Sequence, residues 1–306
     1  MHGHLGASAT SYSFRRLLDQ PGEDSQNYET YVLSDFRYEG LVRFLRENLE
    51  DSPRLRALDI GCGAGVISRG LASEFDQVTG VDGNPDNVAL AQSITTDAGI
   101  SNVSYQYADA TRLPVEDESR DLIVLNGVLE WVGMNQNGEH PRARQLQTLK
   151  EVRRALRPRG LLYLAIENRW HPRTILKDPH SLLPMVNGLP RVLANRLSMG
   201  MTGRPFQTYI YGWRSLRRLL SQAGFAGTDL FVPFPGYQYP ISYIAARPRA
   251  RALRDIARID VPKVKNVLKE AGRPMDVEEA VNTMRRRAER GLIPLLSHDL
   301  VFLCRK

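Results

Sequence analysis

Cysteine is nearly absent from this chain. Its 306 residues contain only Cys62 and Cys304, too few for a disulfide framework or a cysteine-based zinc cluster, and this usage fits a reducing cytoplasm. Long apolar runs are missing as well. Nowhere do about 18 apolar residues follow one another, so no membrane-spanning helix is expected. The opening stretch Met1-His2-Gly3-His4-Leu5-Gly6 lacks the charged and apolar regions of a secretory leader, which makes a cytoplasmic location the expectation. No internal repeat is visible, and no histidines and carboxylates recur at metal-ligand spacing, so no metal is expected. What remains is an ordinary globular composition, 42% hydrophobic and 25% charged, long enough to bury a sizeable core.

The net charge of +7 is unevenly spread. Between Arg247 and Arg290 there are 13 Lys plus Arg against 7 Asp plus Glu, so nearly all the excess sits in one late segment. Such a stretch is most often a solvated helix face, but it also suits anionic lipid, a phosphorylated substrate or nucleic acid.

The most informative stretch is Leu58-Asp59-Ile60-Gly61-Cys62-Gly63-Ala64-Gly65, a strand running into a glycine-rich turn, with Val66-Ile67-Ser68-Arg69-Gly70-Leu71 opening a helix. Glycines in such a turn allow backbone angles that a Cβ forbids and let a ligand approach the main chain. The dinucleotide fingerprint would need a glycine where Val66 stands, and Asp59 would repel a pyrophosphate. A carboxylate at this point suits a cation or an amino group.

Strands and helices then alternate. Strands are predicted over 56–60, 77–81, 103–108, 120–126 and 160–166, with helices over 65–75, 84–98 and 142–156, and Asn84 before Pro85 is an N-cap candidate. This βαβ rhythm predicts an α/β fold with a doubly wound, mostly parallel sheet. Residues 171–205 break the rhythm with prolines, glycines and short apolar pieces. A helix over 213–223 and a strand over 228–232 follow, then basic helices near 249–259, 263–271 and 276–290. The apolar run Asp299 to Cys304 reads as a last strand of the same sheet.

Ligands of open α/β sheets bind at the carboxyl ends of the strands, and four features fall there: Asp59 with its glycines, Asp82, Asp109 and Asn126. Asp82 lies 21 residues after Gly61, placed for a carboxylate to accept both hydroxyls of a ribose. Asp109-Ala110 can accept from an exocyclic amine and donate a backbone N–H to a purine. One such aspartate usually caps a turn; three in order at these separations do not arise readily by chance.

With these motifs the sequence resembles the class I S-adenosylmethionine-dependent methyltransferases over about 54–166. The likeness rests on Leu58–Gly65, on Gly80-Val81-Asp82-Gly83-Asn84-Pro85, on Ala108-Asp109-Ala110-Thr111-Arg112-Leu113-Pro114-Val115, on Asp121 to Trp131, and on Leu156-Arg157-Pro158-Arg159-Gly160 with the apolar strand after it. It implies a Rossmann-like sheet of seven strands with a reversed final hairpin, and S-adenosyl-L-methionine as cofactor. Asp59, Gly61, Cys62, Gly63, Gly65, Asp82, Gly83, Asp109, Ala110 and Asn126 would then contact it. In that picture Asp59 faces the methionine amino group, Asp82 the ribose and Asp109 the adenine. The chain divides accordingly into an N-terminal helical lid (1–50), a cofactor-binding core (51–170), an acceptor-side insertion (171–212), the remaining core (213–246 and 297–306) and a basic helical insertion (247–296).

A narrower similarity, carried by Gly127 to Trp131, Glu167-Asn168-Arg169-Trp170, Asp178-Pro179-His180, Leu189-Pro190-Arg191 and Phe234 to Pro240, points to bacterial methyltransferases of surface-glycan biosynthesis. It implies a saccharide or other small hydroxylated acceptor. A neutral hydroxyl needs a general base, for which Glu130, Glu167, His171 and His180 are the preferred candidates and His140 a further one. Trp170, Tyr209, Tyr211, Tyr237 and Tyr239 could offer stacking faces, and Tyr28 and Tyr31 could close over the cofactor. The basic insertion could rest on anionic membrane. Methylation of a natural product or quinone, methylation of RNA, and non-catalytic cofactor binding stand as alternatives. No Asn-Pro-Pro-Tyr-type motif follows Asn126, and no specific nucleic acid is expected.

Overall fold

The computed structural model describes residues 34, 36–49, 56–134 and 140–306. The expected closure by Tyr28 and Tyr31, and most of the expected lid over 1–50, lie outside these residues. In chain order the elements are α1 (Phe36–Asn48), β1 (Arg56–Ile60), α2 (Val66–Leu71), β2 (Gln77–Asp82), α3 (Pro85–Asp97), β3 (Val103–Tyr107), β4 (Arg120–Asn126), α4 (Pro141–Ala155) and β5 (Leu156–Glu167). There follow α5 (Pro172–Leu176), α6 (Arg191–Thr202), α7 (Trp213–Gln222), β6 (Gly227–Phe234), β7 (Ser242–Ala245), α8 (Arg249–Ala257), α9 (Val261–Glu270), α10 (Val277–Glu289), α11 (Ile293–Leu296) and β8 (Asp299–Arg305).

The described strands form one sheet in the order β3-β2-β1-β4-β5-β8-β6-β7. Strands β1 to β5 pair in parallel, whereas β8 runs antiparallel to both β5 and β6. The sheet has eight strands rather than the expected seven. The extra one, β7, is a four-residue edge strand antiparallel to β6 that follows a proline-interrupted aromatic stretch and leaves too short an apolar pattern to read.

Alternation along the central strands explains why both faces are covered. Leu122 and Val124 of β4, with Tyr163 of β5 and Val301 of β8, pack under α1 and α2. Their neighbours Ile123, Leu125, Leu164 and Phe302 pack on the other face, under α4 and α7. Near-continuous apolar strands are what a doubly covered sheet requires, and each fully buried Leu or Ile contributes about 1.5–3 kcal/mol. Helix α7 supplies Leu216, Leu219 and Leu220, one stripe at i, i+3 and i+4, all buried.

The basic insertion is a packed unit. Ile256, Val264, Leu268 and Val277 from α8, α9 and α10 close over Val232 and Ile244 of β6 and β7. Asp260 and Asp276 cap α9 and α10 by accepting from Lys263 N–H and Glu279 N–H, each at 2.9 Å. Its charges face outward and partly pair, as Lys263 does with Glu39 and Arg286 with Glu279. No described helix is long and apolar enough to cross a membrane.

Candidate active site

The turn after β1 is built from glycines at positive φ, with Gly61 at 69°, Gly63 at 53° and Gly65 at 77°. Gly63 N–H donates to Asp82 Oδ2 at 2.9 Å, while Asp82 Oδ1 accepts from Asn84 N–H at 2.8 Å and Asn87 Nδ2 at 3.2 Å. Asp82 thereby fastens the glycine turn to the start of α3, where Asn84 caps Asp86 N–H and Pro85 occupies the first helical position.

These groups face a cleft of about 540 Å³ at the carboxyl ends of β1 to β4. Of the residues expected to contact a cofactor, Gly61, Gly63, Asp82, Gly83, Asp109 and Ala110 stand on its wall. The wall does not include Asp59, Cys62, Gly65 or Asn126. Asp59 is buried below the turn and accepts from Ser68 Oγ at 2.7 Å. Burial pushes its carboxyl up to about 7, against the opposing pull of the Ser68 hydroxyl. Burial also pushes the Cys62 thiol up, so it is no thiolate at neutral pH. Asn126 ends β4 with its Oδ1 buried and unpartnered.

Asp109 Oδ1 accepts from the Thr111 amide and hydroxyl, each at 2.8 Å, and Arg144 of α4 reaches Oδ2 at 2.6 Å. Burial works to raise the Asp109 pKa, but the Thr111 bonds and the Arg144 guanidinium outweigh it and hold it low. Arg144 lines the cleft and has no marker in the sequence, because α4 brings it back across the sheet. Two exposed aromatics, Tyr107 and Trp131, also stand on the wall and were not among the expected contacts.

The second half of the site lies beside Gly127. This glycine has φ 71°, and a Cβ there would come within 2.6 Å of the Tyr237 ring. Tyr237 donates to Glu167 Oε1 at 2.8 Å. Glu130, on the 3-10 turn Leu129–Trp131, Glu167, at the end of β5, and His180 each place a donor atom within 4.8 Å of the others. His180 Nε2 stands 3.5 Å from Glu167 Oε2, and Trp131 packs edge-on to the His180 ring at 4.6 Å. The Asp178-Pro179-His180 turn is fixed by Asp178, fully buried, whose Oδ2 accepts from Ser181 N–H and Oγ and whose Oδ1 accepts from Asn187 Nδ2.

Burial and the neighbouring Glu167 charge push the Glu130 carboxyl well above the usual range. Burial acts on Glu167 in the same sense, but His180, Glu130 and Tyr237 overcome it and hold Glu167 below the usual carboxylate range. The two carboxyls are thus pushed in opposite directions, Glu130 upward and Glu167 downward.

Structure thus brings three of the four preferred proton-handling residues together. The fourth, His171, lies apart against His298 with ring centroids 4.9 Å from each other, and burial lowers it to about 4. His298 Nδ1 in turn meets Asp299 Oδ1 at 2.6 Å. His140 caps α4 by accepting from Arg142 N–H. Tyr211, Tyr237 and Tyr239 are buried and present no free face, so they are not stacking platforms. Asp299 was missed by sequence reading. The antiparallel register of β8 sets it opposite Glu167, where its Oδ2 accepts from Tyr237 N–H. An acid opening a final antiparallel strand is the signal that could have shown it.

The family described as "Methyltransferase domain" matches residues 58–164. The ubiquinone biosynthesis O-methyltransferase of Sinorhizobium fredii is 32% identical over 126 residues, covering 39% of this chain and 50% of that protein. The malonyl-[acyl-carrier protein] O-methyltransferase of Bacillus cereus is 32% identical over 94 residues, 30% of this chain and 34% of that protein. The chain therefore spans about half or less of the curated relatives it matches. Among solved structures, Haemonchus contortus phosphoethanolamine N-methyltransferase 2 with S-adenosyl-L-methionine aligns at TM-score 0.52 and 15% identity, over 96% of this chain and 60% of that one, a likeness of fold. The match to the methyltransferase domain family thus lies over β1 to β5, the strands whose carboxyl ends form the cleft.

Proposed function

We propose that the whole chain methylates a hydroxyl oxygen of a small acceptor. The observation that carries this reading is the buried Glu130–Glu167–His180 cluster, held by Tyr237 and Asp178 beside the cleft wall at Gly127 and Trp131. S-adenosylmethionine supplies a methyl group already activated by its positively charged sulfur. The chain has two remaining tasks, to hold the acceptor oxygen in line and to receive its proton.

Asp82 and the glycine turn hold the ribose side of the donor, Asp109 and Ala110 the adenine side, and Asp59 acts from below the turn. Glu167, oriented by Tyr237, draws the acceptor hydroxyl into position, and the His180 imidazole beside it takes up the proton that leaves with methyl transfer.

The acceptor combines a hydroxyl with an apolar portion. What supports this is the insertion after β5, where Leu176, Leu182, Met185, Val192, Leu193 and Met199 are exposed. The basic insertion instead turns most of its large apolar side chains inward, so an anionic membrane would meet the former surface rather than 247–296. A saccharide acceptor, expected from the sequence motifs, remains a second reading if the sugar is carried on a lipid. Two unpaired cysteines suit action in the cytoplasm. The test is transfer of a labelled methyl group to two panels, tailed phenols and lipid-linked saccharides. Methyl ethers are the expected product in one panel; methyl on nitrogen or carbon, or no transfer to either, removes the reading.

A further inference from the structure

We infer that Glu130, Glu167 and His180 bind a divalent first-row cation, Mn2+ or Zn2+, beside the cleft wall at Gly127 and Trp131. The three residues come from separate segments, 37 and 13 positions apart, which hides the set from any reading of linear spacing. Glu130 is fully buried, and the His180 and Glu167 side chains are only 5% and 8% exposed. Yet both Glu130 carboxyl oxygens, Glu167 Oε2 and His180 Nε2 have no formed hydrogen bond. Four buried polar atoms converging without partners call for something that binds them all.

Direct hydrogen bonding accounts poorly for the arrangement. The 3.5 Å between His180 Nε2 and Glu167 Oε2 is at the outer limit for such a bond. A cation bonded to both atoms at about 2.1 Å in a tetrahedral shell separates them by about 3.4 Å. Tyr237 occupies Glu167 Oε1 and so leaves Oε2 to the ion, the orienting role an outer partner plays in metal sites. Two carboxylates balance the charge of a divalent ion, which makes its burial tolerable. One imidazole with two carboxylates suits Mn2+ or Zn2+, whereas Ca2+ needs more oxygens. The use of this ion rests on the O-methylation reading: its open position would take the acceptor oxygen and favour loss of the hydroxyl proton.

The full chain, stripped with chelator and dialysed, is titrated calorimetrically with MnCl2 and with ZnCl2, and Mn2+ is also followed by its electron paramagnetic resonance spectrum. One ion per chain is expected for at least one metal, and the calorimetric arms identify which. Glu130→Gln and His180→Gln should each weaken it at least about 100-fold, with S-adenosylmethionine binding and melting temperature reporting that the variants are folded. No saturable binding of either ion by the unmodified chain, or unchanged affinity in folded Glu130→Gln and His180→Gln, overturns the site. Methyl transfer by stripped protein that binds no ion leaves the proposed function standing without the metal. Ion binding without transfer to any hydroxyl does the reverse.

Discussion

The Tyr237 hydroxyl donates to Glu167 at 2.8 Å, while the Tyr237 amide donates to Asp299 at 3.2 Å, so one residue joins the acids at the facing ends of β5 and β8. Tyr237→Phe keeps the ring and the amide bond and removes only the hydroxyl. We expect kcat to fall about 10–100-fold, the range for loss of an orienting outer partner, with affinity for S-adenosylmethionine unchanged. Steady-state kinetics beside calorimetry distinguish this from a packing role, which would leave kcat intact.

Asp82→Ala removes the acceptor of the Gly63, Asn84 and Asn87 hydrogen bonds at the cleft wall. Binding of S-adenosylmethionine should disappear from calorimetric titrations. Retained affinity would take the ribose away from Asp82.

Asp178→Ala strands the Ser181 and Asn187 donors that shape the His180 turn. The expected cost is about 3 kcal/mol in urea unfolding, accompanied by a fall in kcat as His180 loses its position. Unaltered turnover in the destabilised protein would dissociate the turn from the chemistry.

Gly127→Ala should cost about 1–3 kcal/mol, because the new Cβ meets the Tyr237 ring and the backbone stays at φ 71°. Gly99, at φ 69° with open space around it, provides the comparison. Equal losses of melting temperature in Gly127→Ala and Gly99→Ala would mean that backbone strain, not the tyrosine, sets the cost.

Asp59 carries a pH signature of unusual sign. Its carboxyl titrates near 3.8 when unfolded and about 7 when folded, so the folded chain holds the extra proton between these values. Stability from this group is full below pH 3.8 and declines as pH rises towards 7, by up to about 4 kcal/mol. Asp59→Asn should flatten that decline and be the more stable form at pH 8, as read from urea unfolding at pH 5 and pH 8. The same difference between the two pH values in both proteins would remove Asp59 as its source.

The parallel half of the fold was legible because its signals are local. Apolar runs bounded by glycine turns gave β1 to β5, and the acids at their ends gave Asp82 and Asp109. Strand β7 escaped because four residues after a proline carry no usable period. The acceptor half was only partly legible. Glu130 and Glu167 could be placed from strand ends and His180 from its loop, but their convergence depends on the path of 171–205, which no periodicity describes. Tyr237 and Asp299 enter through the antiparallel return of β8, a long-range pairing that leaves no trace near either residue.

That return has a consequence for how the sheet can be assembled. Strands β1 to β5 are complete at residue 167, but β8 occupies the slot between β5 and β6 and comes after every other described strand in the chain. Until it arrives, two apolar strand edges stand open and Asp299 is missing from Tyr237. The parallel half of the sheet thus rests on nearer pairings, whereas the bond from Tyr237 to Asp299 waits for the last described strand to take its place in the middle of the sheet.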